Sequence, residues 1–249
     1  MEIFYSKDIK GGRAELSPEE SSHCVRVLRH REGDEILVAG GDGNLYRCLM
    51  EKADPSRAVL SVVSVEGGFG GHDYYLHMAV APPKNIDRFE WFMEKATELG
   101  IDRITPLLCA RSERRSFNRE RGERIILSAA KQSLKGYLPE LDPLVPFTDL
   151  LSSSESFDGA RFIAYCDREL YSEDGTPVRR IPLSEALMLS SGRTGSGRRA
   201  LFLIGPEGDF SREEAAAAYK AGFIPVSLGN SRLRIETAAM LCVSAMYLY

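Results

Sequence analysis

Two glycine-bearing turns near the carboxyl end of the chain gather the residue types best suited to hold a ligand. Gly205-Pro206-Glu207-Gly208 follows the apolar run 201–204, and Gly229-Asn230 follows the apolar run 224–228. Both runs have strand length, and glycine lets a backbone pass close to a bound molecule. Just beyond the second turn stand Arg234 and Glu236. Their side chains are a planar cationic donor and a carboxylate, suited either to charge stabilisation and proton transfer or to a plain salt bridge at a helix start.

Several other chemistries are excluded by pattern. The chain has neither a GxxxxGK[ST] loop nor a GxGxxG turn after its first α/β strand, so the usual nucleotide phosphate cradles are missing. Its four histidines do not show metal-ligand spacing with an acid, and no GxSxG elbow is present. What remains is a ligand gripped by glycine turns and backbone groups, without a nucleophilic side chain.

The elements that must position these turns read as an α/β pattern. Ser211 is a good N-cap, Glu214 completes a capping box, an alanine run favours helix, and Gly222 can end it in a left-handed conformation. A closing helix is predicted over 236–249, and both turns are expected at the carboxyl ends of neighbouring strands, where open α/β sheets bind ligands. Upstream, strands are expected near Tyr74, Ile101 and Phe162, besides those at Leu201 and Ile224. A helix over 88–99, ended by Gly100, buries Phe89, Phe92, Met93, Ala96 and Leu99, which leaves Trp91 off the stripe. The serine-rich stretch 146–159 reads as a connecting loop, 167–169 as a turn, 183–189 as a helix, and 190–199 as an exposed, mobile loop.

Gly67-Gly68-Phe69-Gly70-Gly71 divides the chain into domains 1–70 and 71–249. Before the break, Ser17-Pro18-Glu19-Glu20 opens a short helix with a capping glutamate. Strand-like segments over 35–39, 45–51 and 57–65, separated by turns, make a small β-barrel.

With 249 residues, 43% hydrophobic and 27% charged, the chain is an ordinary globular protein. No apolar stretch is long enough for a membrane span and MEIFYSKDIK lacks a secretion-signal core, so a cytoplasmic location is expected. Five scattered cysteines without a CxxC pair predict free thiols, with Cys242 in the core. The net charge of −4 argues weakly against nucleic acid, yet residues 111–135 hold eight basic residues against three acids. A second basic group, with Arg26 and Arg29, lies at 23–31. Each is either a solvated helix face or an RNA contact; together they favour RNA.

The pattern IGPEG, a spacer helix, then LG with LRIETA resembles the C-terminal signature of the SPOUT methyltransferases, in particular the RsmE family of 16S rRNA (uridine-N3)-methyltransferases. VLRHREGDEI, EKATELG, the Arg111-Ser112 pair and AAKQSLKGYLPEL are similar to further motifs of that family. The resemblance implies an α/β, mostly parallel, trefoil-knotted SPOUT domain preceded by a small PUA-like β-barrel domain. It implies S-adenosyl-L-methionine held by Ile204, Gly205, Pro206, Glu207 and Gly208 on one turn and by Leu228, Gly229, Asn230, Leu233 and Ile235 on the other. Arg234 and Glu236 become the catalytic candidates, Arg234 for charge developing on the uracil oxygens and Glu236 as base or as partner of Arg234. Arg26, Arg29, Lys84, Arg111, Arg114, Arg115 and Gln132 become candidate RNA contacts, no metal is required, and a homodimer is expected, consistent with the apolar circumference of the terminal helix. Asp209 stands where the pattern has glycine, and Lys131 and Lys135 also depart from it. Two alternatives stay open: a non-catalytic RNA-binding protein, and a SPOUT enzyme acting on another RNA.

Overall fold

The structure is a computed structural model and describes residues 2–166, 176–190 and 198–249, with backbone only for 189 and 190. The expected turn at 167–169 and most of the expected loop at 190–199 lie outside the described residues. The chain forms two compact units: one comprises the chain up to His72 together with Leu127–Leu138, the other Asp73–Ile126 with Pro139–Tyr249.

The first unit is a six-stranded sheet built from β1 (Phe4–Tyr5), β2 (Asp8–Lys10), β3 (Arg13–Glu15), β4 (Glu35–Ala39), β5 (Asn44–Lys52) and β6 (Val59–Gly67). Its order is β1-β4-β5-β6-β3-β2, antiparallel except for the β1–β4 pair. The sheet curls until its ends meet at Ser6, whose N–H donates to Ala39 O at 3.1 Å while its Oγ donates to Glu15 O at 2.5 Å. Inward-facing Phe4, Ile36, Val38, Cys48, Met50 and Leu60 fill the interior, as strand alternation requires.

Helix α1 (Pro18–Ser22) starts as the sequence predicts, with Ser17 Oγ accepting from Glu20 N at 3.2 Å, but it passes at once into a π-helical turn, His23–Val27, that carries Arg26. Glu20 is not a capping glutamate: its buried carboxylate accepts from Tyr5 N at 3.2 Å and from Lys131 Nζ. A buried carboxylate needs such a cation, and Lys131 supplies it.

The second unit contains β7 (Tyr74–Val80), α2 (Ile86–Leu99), β8 (Arg103–Leu108), the first part of α3 (Arg119–Gln132), β9 (Glu140–Leu141), β10 (Val145–Pro146), α4 (Phe147–Ser154) and β11 (Ala160–Ala164). It continues through β12 (Ile181–Pro182), α5 (Leu183–Ser190), β13 (Arg198–Ile204), α6 (Arg212–Lys220), β14 (Ile224–Ser227) and α7 (Ile235–Leu248). Eight strands pair in parallel in the order β10-β8-β7-β13-β11-β14-β12, with β9 also on β8. The central strands are buried over residues 76–80 of β7, 162–163 of β11 and 200–204 of β13, which is why these stretches are mostly apolar. No helix among the described residues is long and apolar enough to cross a membrane.

Two sequence expectations need correction. The stretch 146–159 is no plain loop, because Phe147–Ser154 is helical. Phe147 and Leu150 are buried at helical spacing, a signal hidden by the surrounding serines. Arg198 and Arg199 open β13, and their guanidinium groups lie over Tyr74 and Tyr75, at 5.7 and 4.2 Å from the ring centroids.

Candidate functional site

The two glycine turns do not follow neighbouring strands, for β11 stands between β13 and β14. Ala164 of β11 pairs with Ile204 on one side and Val226 on the other, so all three strands end level at one edge of the sheet. With strands about 4.8 Å apart, the turns stand roughly 10 Å from each other across the end of β11. Tyr165-Cys166, the continuation of β11, runs between them, so a ligand that spans both turns has the turns as its walls and this segment as its floor.

The first wall is held tightly. A Cβ on Gly205 would meet Phe210 Cδ2 at 3.0 Å and Phe210 N at 3.1 Å, so no other residue fits there without a shift. Phe210, which is buried, packs on Phe147 under the turn. Ile204 and Pro206 are buried, and Asp209 N donates to Pro206 O at 2.9 Å. Glu207 turns its carboxylate to the Lys84 N–H at 2.9 Å, and Gly208 O accepts from Arg111 NH1 at 2.8 Å. The helix behind this wall is fully capped, since Ser211 and Glu214 form the predicted box and Glu214 Oε1 also accepts from Ala110 N at 2.7 Å.

The second wall is open. Gly229 has φ +106, a left-handed backbone, and no atom lies within 4 Å of a Cβ built there. Leu228 and Leu233 are half-buried, Ile235 is buried and Asn230 is exposed. Arg234 is the N-cap of α7 in an extended conformation and gives no side-chain cap, so the first N–H groups of α7 lack the acceptor that α6 has. An apolar ligand face can lie on Leu228, Leu233 and Ile235, while ligand oxygen or nitrogen acceptors meet these donors.

Arg234 and Glu236 come to this edge but do not pair. The Glu236 carboxylate, with its side chain 13% exposed, lies 3.9 Å from Arg88 Nε at the start of α2. Arg234 is exposed and has no ion pair among the described residues.

The basic residues divide by what their charges already serve. Arg111 donates to Gly208 O at 2.8 Å and Phe210 O at 3.3 Å; Arg114 donates to Pro83 O at 3.2 Å and Lys84 O at 2.8 Å. Both therefore tie loops at the carboxyl edge of the sheet. The Lys84 ammonium is exposed and 3.2 Å from Glu113. Arg119 pairs with Glu123, Arg121 with Glu90 and Lys131 with Glu20, so the local surplus is smaller than the sequence suggested. Arg115 and Arg124 are exposed without an ion pair among the described residues. In the first unit Arg26 and Arg29 are exposed, Arg29 at φ +63, and Gln132 lines an open groove of about 610 Å3 with Phe4, Glu20, His23 and Lys131.

Sequence reasoning missed Arg88, Arg180 and a buried polar chain. Within that chain His77 Nε2 lies 2.7 Å from Thr105 Oγ1, Thr105 donates to Asp142, and Arg103 holds Asp142 by two bonds of 2.8 Å. Burial, and then the positive charge of Arg103, push His77 down to about 4.

A family model described as RNA methyltransferase domain matches residues 71–247, and another described as RNA methyltransferase PUA domain matches 16–63. A ribosomal RNA small subunit methyltransferase E of a Synechocystis species is 30% identical, over 92% of this chain and 71% of that protein. The chain belongs to the ribosomal RNA small subunit methyltransferase E family. A structure described as a probable rRNA-methyltransferase from Porphyromonas gingivalis is 36% identical with a TM-score of 0.82, covering 100% of this chain and 97% of that one. The methyltransferase E of Neisseria gonorrhoeae bound to S-adenosyl methionine shares the fold at a TM-score of 0.76 and 23% identity, over 100% of this chain and 97% of that one. Family membership accounts for a PUA-like curled sheet followed by a parallel α/β sheet in one chain.

Proposed function

We propose that this chain transfers a methyl group from S-adenosyl-L-methionine to N3 of a uridine in 16S rRNA of the small ribosomal subunit, in the cytoplasm. The single observation that supports a donor site most is the placing of two glycine turns on either side of the end of β11, one tightly held at Gly205 and the other open at Gly229 with an α7 that has no side-chain cap. Ile204 to Gly208 and Leu228 to Asn230, with Leu233 and Ile235, are the residues that would hold the donor. When bound, it supplies an electrophilic methyl carbon on a sulfonium, so the protein needs no nucleophile of its own.

The chain's own residues must bind the base, orient it and stabilise it as one proton leaves. Uracil N3 carries that proton at neutral pH; it passes to a water on the exposed Arg234 side, and its loss puts negative charge on the flanking carbonyl oxygens. Arg234, exposed beside the second turn and without an ion pair among the described residues, would donate to one of those oxygens from the side and leave N3 open to the methyl. Glu236 holds the start of α7 through Arg88, which positions the residue that carries the donor fork.

Residues 1–70 serve as the RNA-binding domain and 71–249 as the transferase domain, with Arg26, Arg29, Lys84, Arg115 and Gln132 as RNA contacts. Arg111 and Arg114 reach RNA only with the donors that their loop carbonyls leave over. Leu241, Tyr247 and Leu248 of the last helix and Tyr249 just after it are exposed apolar or aromatic residues, and a second copy of the chain is the partner that fits them. Titration calorimetry of the protein with S-adenosyl-L-methionine tests the assignment. Saturable heat supports it, and a flat trace leaves an RNA-binding protein without a donor site.

A further inference from the structure

The floor of the cleft is one peptide unit held from both sides. By continuation of the strand register, Cys166 stands level with Pro206 of the first turn and Leu228 of the second. Its N–H donates to Asp209 Oδ2 at 3.0 Å, and its C=O accepts from Arg180 NH1 at 2.9 Å. Arg180 NH1 also donates to Tyr165 O at 2.7 Å. Asp209 reaches in from the loop after β13, whereas Arg180 precedes β12 and reaches in from beyond β14.

Asp209 adopts φ +62, a left-handed conformation that costs a residue with a Cβ and that glycine would take freely. Its short carboxylate offsets that cost, because Oδ1 accepts from Phe210 N at 2.8 Å while Oδ2 takes Cys166 N. A turn alone would be served better by glycine. The carboxylate does something glycine cannot, which is to tie the end of β11 to the wall formed by β13.

We propose that Asp209 and Arg180 are positioning residues for the methyl donor, acting by locking the Tyr165-Cys166 peptide as the floor between the two turns. With the Cys166 N–H held by Asp209 and its C=O held by Arg180, the backbone of the floor is fixed from both sides and cannot rise into the gap. The width of the cleft is then set by the tethers on either side. This inference rests on the reading of the cleft as the donor site.

Asp209→Gly removes the tether while relieving the strained backbone, so it keeps or raises the melting temperature; Asp209→Asn tolerates the left-handed conformation and keeps one acceptor oxygen, which can hold Cys166 N once the bond from Phe210 N is given up. The expected result for Asp209→Gly, and separately for Arg180→Ala, is a rise of about tenfold or more in the Kd and KM for S-adenosyl-L-methionine, with kcat at saturating donor and the KM for RNA within about threefold. Asp209→Asn, with one of the two acceptors, gives a donor KM between those of the wild type and Asp209→Gly. If Asp209→Gly and Arg180→Ala bind the donor as the wild type does, or if Asp209→Asn fails as badly as Asp209→Gly, the tether plays no positioning part. A wild-type protein that takes up no donor defeats the reading of the cleft itself, and the inference with it.

Discussion

The carboxylate of Glu236 lies 3.9 Å from the guanidinium of Arg88, not against Arg234 two residues away. Two roles imagined for Glu236, proton acceptor and partner of Arg234, therefore separate from a third, anchoring α7 to α2. If anchoring is its part, Glu236→Gln and Arg88→Ala each lower kcat by less than about tenfold and are non-additive in a double-mutant cycle. Arg234→Ala, in contrast, abolishes transfer while donor Kd stays within about tenfold, since its fork meets charge that exists only in the transition state. A thousandfold loss in Glu236→Gln with a silent Arg88→Ala would return Glu236 to the role of base.

RNA affinity should depend on Arg115 and Arg114 in different ways. Arg115 is exposed without an ion pair among the described residues, so Arg115→Ala should lower the slope of log K against log salt by about one phosphate contact and leave donor binding alone. Arg114→Ala releases Pro83 and Lys84, and with them the loop held by Glu207, so donor KM should rise as well. Equal effects of the two substitutions on donor KM would contradict this division.

Acid should weaken the fold through His77. Its imidazole titrates near the ordinary 6.5 in the unfolded chain but at about 4 in the folded one. Between those values the unfolded chain binds a proton that the folded chain refuses, so stability falls as pH drops from about 6.5 to about 4 and this contribution levels off below. The urea midpoint of His77→Gln should vary less over that window than that of the wild type. Identical pH slopes would mean that His77 does not set it.

The exposed end of α7 should be covered in solution. Leu248 is 80% exposed and Tyr247 is 52% exposed, with Met188 of α5 also exposed. Sedimentation should show a dimer that Tyr247→Glu with Leu248→Glu converts to a folded monomer. A monomeric wild type would leave these side chains without the proposed partner.

Much of this arrangement was legible in the sequence because its signals are local. The capping box of Ser211 and Glu214, the left-handed Gly100 and the apolar runs of β7, β11 and β13 each announce their element within a few residues. Sheet order is not local, so the strand expected near Phe162 gives no sign that it lies between the two turns, although Ala164 pairs with both neighbours. Ion pairs across elements escaped for the same reason. Nothing in the spacing of Arg88 and Glu236, of Glu20 and Lys131, or of Arg180 and Cys166 reveals that the fold brings them together. The basic stretch 111–135 misled in the opposite sense, because several of its charges are already used on acids and carbonyl oxygens within the protein.

Methyl transfer to a base of small-subunit RNA at the end of β11 is checked by mass spectrometry of nucleosides from 16S rRNA of cells lacking this protein, before and after incubation of that RNA or its subunit with the purified protein and isotope-labelled S-adenosyl-L-methionine. Labelled 3-methyluridine is expected, absent beforehand and absent with Arg234→Ala. No label, or label on a ribose or another base, would contradict it.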